Sequence, residues 1–100
     1  MIYKLIFTKK SQKDWDKLNS TVKEQFKKKL KQRLENPKVE KDKLSGYENV
    51  YKIKLRSVGY RLAYEVKDKE IIVLALSVGK RENNKVYESL RKSKTNDKSK

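Results

Sequence analysis

Between Tyr51 and Tyr64 apolar and cationic side chains alternate on either side of a Ser57-Val58-Gly59 break, a pattern that a β-hairpin sorts onto two faces. Strand side chains repeat with period two, so Tyr51, Ile53 and Leu55 point one way while Lys52, Lys54 and Arg56 point the other. With Ser57 and Val58 in the turn and Gly59 supplying permissive dihedrals beside it, residue 54 pairs with residue 61 and residue 52 with residue 63. Lys54 and Arg61 then share a face. Like charges directly opposite one another destabilise a sheet, so a fold that keeps them there suits a polyanionic ligand; the competing reading is the solvated outer face of a lysine-rich protein.

The remaining periodicities supply the rest of an α+β fold. Residues 2–7 alternate Tyr3, Leu5 and Phe7 against Ile2, Lys4 and Ile6, a first strand. Residues 9–18 read as a helix with Trp15 and Leu18 on its core side, and Thr21 with Glu24 reads as a capping box opening a second helix. Val22, Phe26, Leu30 and Leu34 recur every four residues along that second helix, which Asn36-Pro37 ends. After a charged loop and the hairpin, Lys67-Asp68-Lys69-Glu70 turns the chain into residues 71–78, apolar on both faces as an interior strand would be. Gly79 is expected to break that strand, and a short helix from about residue 83 carries Val86 and Leu90 inward with Tyr87 on a flank. The first and last strands, the most apolar, are expected side by side in the middle of the sheet, with the cationic hairpin strand at an edge. The expected architecture is β-α-α-β-β-β-α, a mostly antiparallel four-stranded sheet packed against two N-terminal helices with a short C-terminal helix.

One hundred residues make one small domain, here 1–92, followed by a basic tail, 93–100, that lacks apolar side chains and is expected to be disordered. Twenty-eight Lys and Arg against 13 Asp and Glu give a formal charge of +15. The last ten residues hold five cations and one aspartate, so the first ninety keep +11 of it. That charge favours nucleic acid over a membrane surface, because no long basic amphipathic helix with exposed bulky apolar residues stands out. Cysteine and histidine are both absent, which removes disulfides, thiolate nucleophiles, imidazole acid/base chemistry and the commonest transition-metal ligands. The opening Met1-Ile2-Tyr3-Lys4 lacks the apolar region of a secretory signal, and a cytoplasmic location is the expectation.

The segments Tyr51-Lys52-Ile53-Lys54-Leu55-Arg56-Ser57, Gly59-Tyr60-Arg61-Leu62, Ser77-Val78-Gly79-Lys80-Arg81-Glu82 and Val86-Tyr87 resemble the RelE branch of the RelE/ParE toxin superfamily, as do Ser20 to Gln25, Lys27 to Leu30 and Lys43-Leu44. The resemblance spans residues 1 to about 92. It implies a toxin of a type II toxin-antitoxin system, a ribosome-dependent endoribonuclease (an mRNA interferase) that cuts mRNA in the ribosomal A site by 2′-hydroxyl attack, leaving a 2′,3′-cyclic phosphate and a 5′-hydroxyl. The partners it implies are mRNA, the ribosome with its 16S rRNA, a cognate RelB-like antitoxin, and operator DNA through the toxin-antitoxin complex. Residue by residue, Lys52, Lys54, Arg61, Arg81 and Tyr87 match the family's functional set.

Such cleavage needs a base for the nucleophile, positive charge on a phosphorane-like transition state and an acid for the leaving oxygen, and it requires no metal or cofactor. Without histidine the base falls to Lys, Tyr, Asp or Glu. Clustered cations disfavour a protonated lysine, so Lys52 is the candidate base, Lys54 a candidate acid or charge stabiliser, Arg61 and Arg81 the phosphate clamps, and Tyr87 a stacking platform or proton relay. In the plainer reading Tyr87 is a surface-packing aromatic and Arg61 an ion-pair partner of Glu65 or Glu82, while Tyr60, Tyr64 and Trp15 belong to the core. Two rival functions are a ParE-like gyrase inhibitor and a non-catalytic RNA- or ribosome-binding protein.

Overall fold

The computed structural model describes residues 2–80. Its elements run β1 (Lys4–Phe7), α1 (Lys9–Asp16), α2 (Ser20–Glu35), a short 3-10 turn (Glu40–Asp42), β2 (Val50–Leu55), β3 (Tyr60–Lys67) and β4 (Ile72–Lys80). Arg81, Tyr87, the expected C-terminal helix and the 93–100 tail lie outside the described residues. No described helix is long and apolar enough to cross a membrane.

Both helices begin at caps that satisfy their orphan N–H groups. Thr8 and Ser11 form a reciprocal box: the Ser11 N–H donates to Thr8 Oγ1 at 3.0 Å and the Thr8 N–H donates to Ser11 Oγ at 2.9 Å. The box expected at Thr21 and Glu24 does not open α2. Asn19 does, in an extended conformation from which its amide oxygen accepts the Val22 N–H at 2.9 Å. Helix α1 stops at Asp16, two residues short of the expected Leu18. The chain tightens there, with the Lys17 and Leu18 N–H groups bonding three residues back to Asp14 and Trp15. Leu18 is buried all the same, and so are Val22, Phe26 and Leu30 on α2. Trp15 packs between Phe7 and Phe26, with ring centroids at 5.3 and 6.1 Å, so it belongs to the core as expected.

The strand order is β1-β4-β3-β2, with β1 parallel to β4 and the other two pairings antiparallel. The first and last strands are neighbours and the cationic strand is an edge, both as expected. The expectation that β1 lies in the middle is corrected, because β1 is the opposite edge. The reason is the β3–β4 hairpin, which claims the other side of β4 along its whole length and leaves β1 a place only on the outside. Nor does Gly79 end β4, which runs on to Lys80 because Gly79 pairs with Arg61.

Because β1 ends at Phe7 opposite Ala75, β4 has no strand on that side beyond this point among the described residues. Helix α1 replaces it: Ser11 Oγ, fully buried, donates to the Ala75 carbonyl at 2.8 Å, and Asp14 accepts the Val78 N–H at 3.4 Å. Between these two anchors the β3–β4 register shifts after Ala63, whose partner is Ser77, to Tyr64, whose partner is Ala75. Leu76 is the extra residue of a β-bulge. The bulge lets both Ala75 and Val78 face the main core while Leu76 joins Leu44, Val50 and Ala63 in a smaller cluster on the sheet's other face.

The hairpin has the expected pairing, Lys54 with Arg61 and Lys52 with Ala63. Four residues, 56–59, connect the strands, with the Gly59 N–H donating to the Leu55 carbonyl at 2.8 Å. Gly59 sits at φ +70°, a conformation that costs an L side chain about 1–2 kcal/mol. The apolar face of the hairpin, comprising Tyr51, Ile53, Leu55, Leu62, Tyr64 and Val66, is buried against α2.

Tyr64 carries a hydroxyl into this core. Its hydroxyl donates to the Pro37 carbonyl at 2.7 Å and accepts from Arg33 at 2.9 Å, and burial raises its pKa above the ordinary tyrosine value against the opposing pull of Arg33. Replacing Tyr64 by Phe removes one of the two donors to the Pro37 carbonyl, which keeps the Val39 N–H at 3.1 Å, and takes an acceptor from the charged Arg33, so chemical denaturation should show a loss of about 1–3 kcal/mol with little change in m-value.

Candidate functional site

The helices cover one face of the sheet, and period-two alternation consigns Lys52, Lys54 and Arg61 to the other. Lys54 stands directly opposite Arg61, and Lys52 two residues along the same strand lies opposite Ala63. Across β3 the same rows continue onto β4 at Gly79, opposite Arg61, and Ser77, opposite Ala63. The row beside the cations is therefore floored by small residues, while bulk (Leu44, Val50, Leu76) collects at the far end of the face. Three of the five candidate residues thus come together on adjacent strands, and Arg81 and Tyr87 fall outside the described residues. Among the described residues no group of three or more carboxylates could hold a metal ion.

Crowding of like charges has a chemical consequence. The Lys54 ammonium is held below the ordinary lysine range, first by the charge of Lys52, then by desolvation, then by Arg61 and Arg56, with the Asp42 carboxylate pulling the other way. Lys54 is the middle cation of the group, with Lys52 two residues behind it, Arg56 two ahead and Arg61 across the ladder, and a central charge feels the most repulsion. The pKa-lowering effect expected of the cation cluster therefore falls on Lys54, with Lys52 as its first cause.

The strand that carries both lysines is an edge, and Arg33 from α2 braces it. One terminal nitrogen of the guanidinium donates to the Lys52 carbonyl at 3.1 Å and to Tyr64 at 2.9 Å, and the other meets Asp42 at 2.5 Å. Both partners of this ion pair are largely buried. Sequence reasoning passed over Arg33 and Asp42. The only available signal was an arginine flanking Leu34 near the helix end, where most such residues are solvated. Beside this brace, α2, the 3-10 turn and the outer edge of β2 enclose an open groove of about 750 Å³ that includes Lys54 and Arg56.

An α+β sheet with two helices on one face and a cationic, small-floored patch on the other defines a class. Residues 5–85 match the family described as the ParE toxin of type II toxin-antitoxin systems, and the chain belongs to this toxin family, within its RelE branch. It is 54% identical over 87 residues to the mRNA interferase toxin RelE of Escherichia coli K12, a match covering 87% of this chain and 92% of that protein. The structure of free E. coli RelE carrying two arginine substitutions superposes with a TM-score of 0.86 at 50% identity, covering 93% of this chain and 98% of that one. RelE in the intact E. coli RelBE toxin-antitoxin complex gives a TM-score of 0.77 at 54% identity over 78% of this chain and 95% of that one.

Because Lys54's proton is held less tightly in the folded chain than in the unfolded one, its charge costs stability at neutral pH. That cost disappears as pH rises from the folded pKa to the ordinary value. Lys54→Gln should therefore raise the Tm at pH 7 and reduce the gain in stability otherwise seen on going to alkaline pH. In a separate titration followed by NMR of the lysine side chains, Lys52→Gln should move the Lys54 midpoint upward. An unmoved midpoint would show that the repulsion from Lys52 is absent.

Proposed function

We propose that this chain is the toxin of a type II toxin-antitoxin system, an endoribonuclease that enters the ribosomal A site, cuts mRNA there and so inhibits translation. The observation that carries the reading is the convergence of Lys52, Lys54 and Arg61 on one face, with Lys54's ammonium destabilised by its neighbours, in a chain more than half identical to an mRNA interferase toxin. In the proposed reaction the 2′-hydroxyl gives its proton to a neutral lysine amine, its oxygen bonds to phosphorus, and the bond from phosphorus to the 5′-oxygen breaks. The 5′-oxygen takes a proton, so the products are a 2′,3′-cyclic phosphate and a 5′-hydroxyl end. Neither a metal nor a cofactor enters the balance.

The lowered pKa favours Lys54 as the amine that accepts the proton, with Lys52 as the adjoining charge that keeps it available and as a candidate acid, exchanging the roles first assigned. In this reading Arg61 spreads positive charge over the non-bridging phosphate oxygens, a role for which a planar guanidinium is suited. Arg81 and Tyr87 complete the proposed site on the family match alone. Because only the deprotonated fraction of a lysine can accept the proton, the chain depends on a substrate whose 2′-hydroxyl is already aligned with phosphorus. The decoding site supplies that alignment, and naked RNA should be cut poorly. A RelB-like antitoxin is the proposed partner, by analogy with the E. coli complex. Its expected chemistry is an acidic or amphipathic segment that orders on this basic surface.

Gyrase inhibition, the activity of the ParE branch, is separated from this reading by a supercoiling assay, in which the chain should be inert. On ribosomes stalled over a defined message, primer extension should reveal cut ends in the A-site codon. Arg61→Ala should lower the rate by about 100-fold or more while ribosome binding is retained. An Arg61→Ala chain that cuts at the wild-type rate removes Arg61 from the site, and a wild-type chain that leaves the message intact removes the nuclease reading.

A further inference from the structure

Cations make up half of the described lining of the groove beside β2. Lys29 on α2, Lys41 on the 3-10 turn, and Lys54 and Arg56 on the hairpin line it, and Asp42, its only acid among the described residues, is engaged by Arg33 at 2.5 Å. Lys29, Lys41 and Arg56 are exposed. Among the described residues no aromatic side chain lines the groove, and its apolar contributors from β2 are nearly fully buried. A surface of this kind offers a nucleic acid strand charge without stacking platforms, so it grips phosphates and leaves the bases unread. Lys54 belongs both to this groove and to the face that holds Lys52 and Arg61, so the two are continuous around the strand edge.

We propose that this groove is a backbone track for the single-stranded message on one side of the cut, with Lys29, Lys41 and Arg56 neutralising phosphates that flank the scissile one. The inference rests on the nuclease reading for its polynucleotide and goes beyond it in assigning a site and residues that take no part in the bond exchange. An acidic polypeptide is the less favoured occupant, because an extended acidic segment binds a groove through apolar anchors as well as charge, and in this groove polar surface exceeds apolar. The track gives affinity independent of sequence, so the codon at the cut is selected elsewhere.

The test uses the full chain and a short 2′-O-methyl single-stranded RNA, which cannot be cut because its nucleophile is capped. Anisotropy titrations across a salt series should show that Lys29→Ala/Lys41→Ala lowers the slope of log K against log salt by about 1.4, two phosphates at roughly 0.7 each. Lys29→Glu should weaken binding further than Lys29→Ala. On programmed ribosomes the double variant should raise KM with kcat and the pH profile unchanged, since neither lysine touches the reacting atoms. An unchanged salt slope overturns the proposal. So does a double variant that loses affinity for polyglutamate but not for RNA, which assigns the groove to an acidic protein. Equal losses on empty and programmed ribosomes also overturn it, by assigning the groove to ribosomal RNA. Failure of the wild-type chain to cut would remove the nuclease reading and leave the oligonucleotide result standing, so the two failures are distinguishable.

Discussion

Arg33 reaches out of α2 and ties three other elements with one guanidinium: the carbonyl of Lys52 on β2, the hydroxyl of Tyr64 on β3 and the carboxylate of Asp42 on the 3-10 turn. Its charge also lies over the Tyr64 ring, 5.9 Å from the centroid. A largely buried ion pair adds little net stability, because desolvation consumes most of its Coulomb energy. Its value here is positional. Beyond a single bridge from Lys43 to Tyr51, the edge strand β2 is held by a ladder on one side only, and the two candidate lysines project from it. A planar donor that bonds the backbone between them sets where both side chains begin.

The other edge of the sheet meets the same difficulty differently. Strand β1 has four residues and leaves the second half of β4 uncovered on its side. Helix α1 fills that gap with Ser11 and Asp14, and the bulge at Leu76 sits between the two contacts. The bulge turns the face of β4 by one residue. Ser77 and Gly79 consequently lie in register with Ala63 and Arg61, and the row beside the cations stays low. Packing on the helix side of the sheet thereby shapes the surface on the other side.

Electrostatics link these local arrangements to the whole chain. With a formal charge of +15, the molecule draws polyanions to every face, and long-range attraction alone does not choose a site. Selection comes from the density and fixity of charge. Lys54 is crowded from both directions along β2 and from across the ladder, and Asp42, the acid that would relieve it, is engaged by Arg33. The ion pair that braces the strand therefore also limits how far Asp42 offsets the repulsion at Lys54.

Period two told from the sequence that Lys52, Lys54 and Arg61 share a face, and the four-residue spacing of Val22, Phe26, Leu30 and Leu34 told which side of α2 is core. Both are local properties, since a strand or helix of known period assigns each side chain a direction before anything packs. Composition removed histidine and cysteine chemistry on the same footing. Chain periodicity could not reveal which edge β1 takes, that Asn19 rather than Thr21 opens α2, or that Arg33 and Asp42 meet beneath Lys52. Each of these depends on residues far apart in the chain or on competition between neighbouring caps, and only closure of the sheet over α2 brings the competing groups within bonding distance.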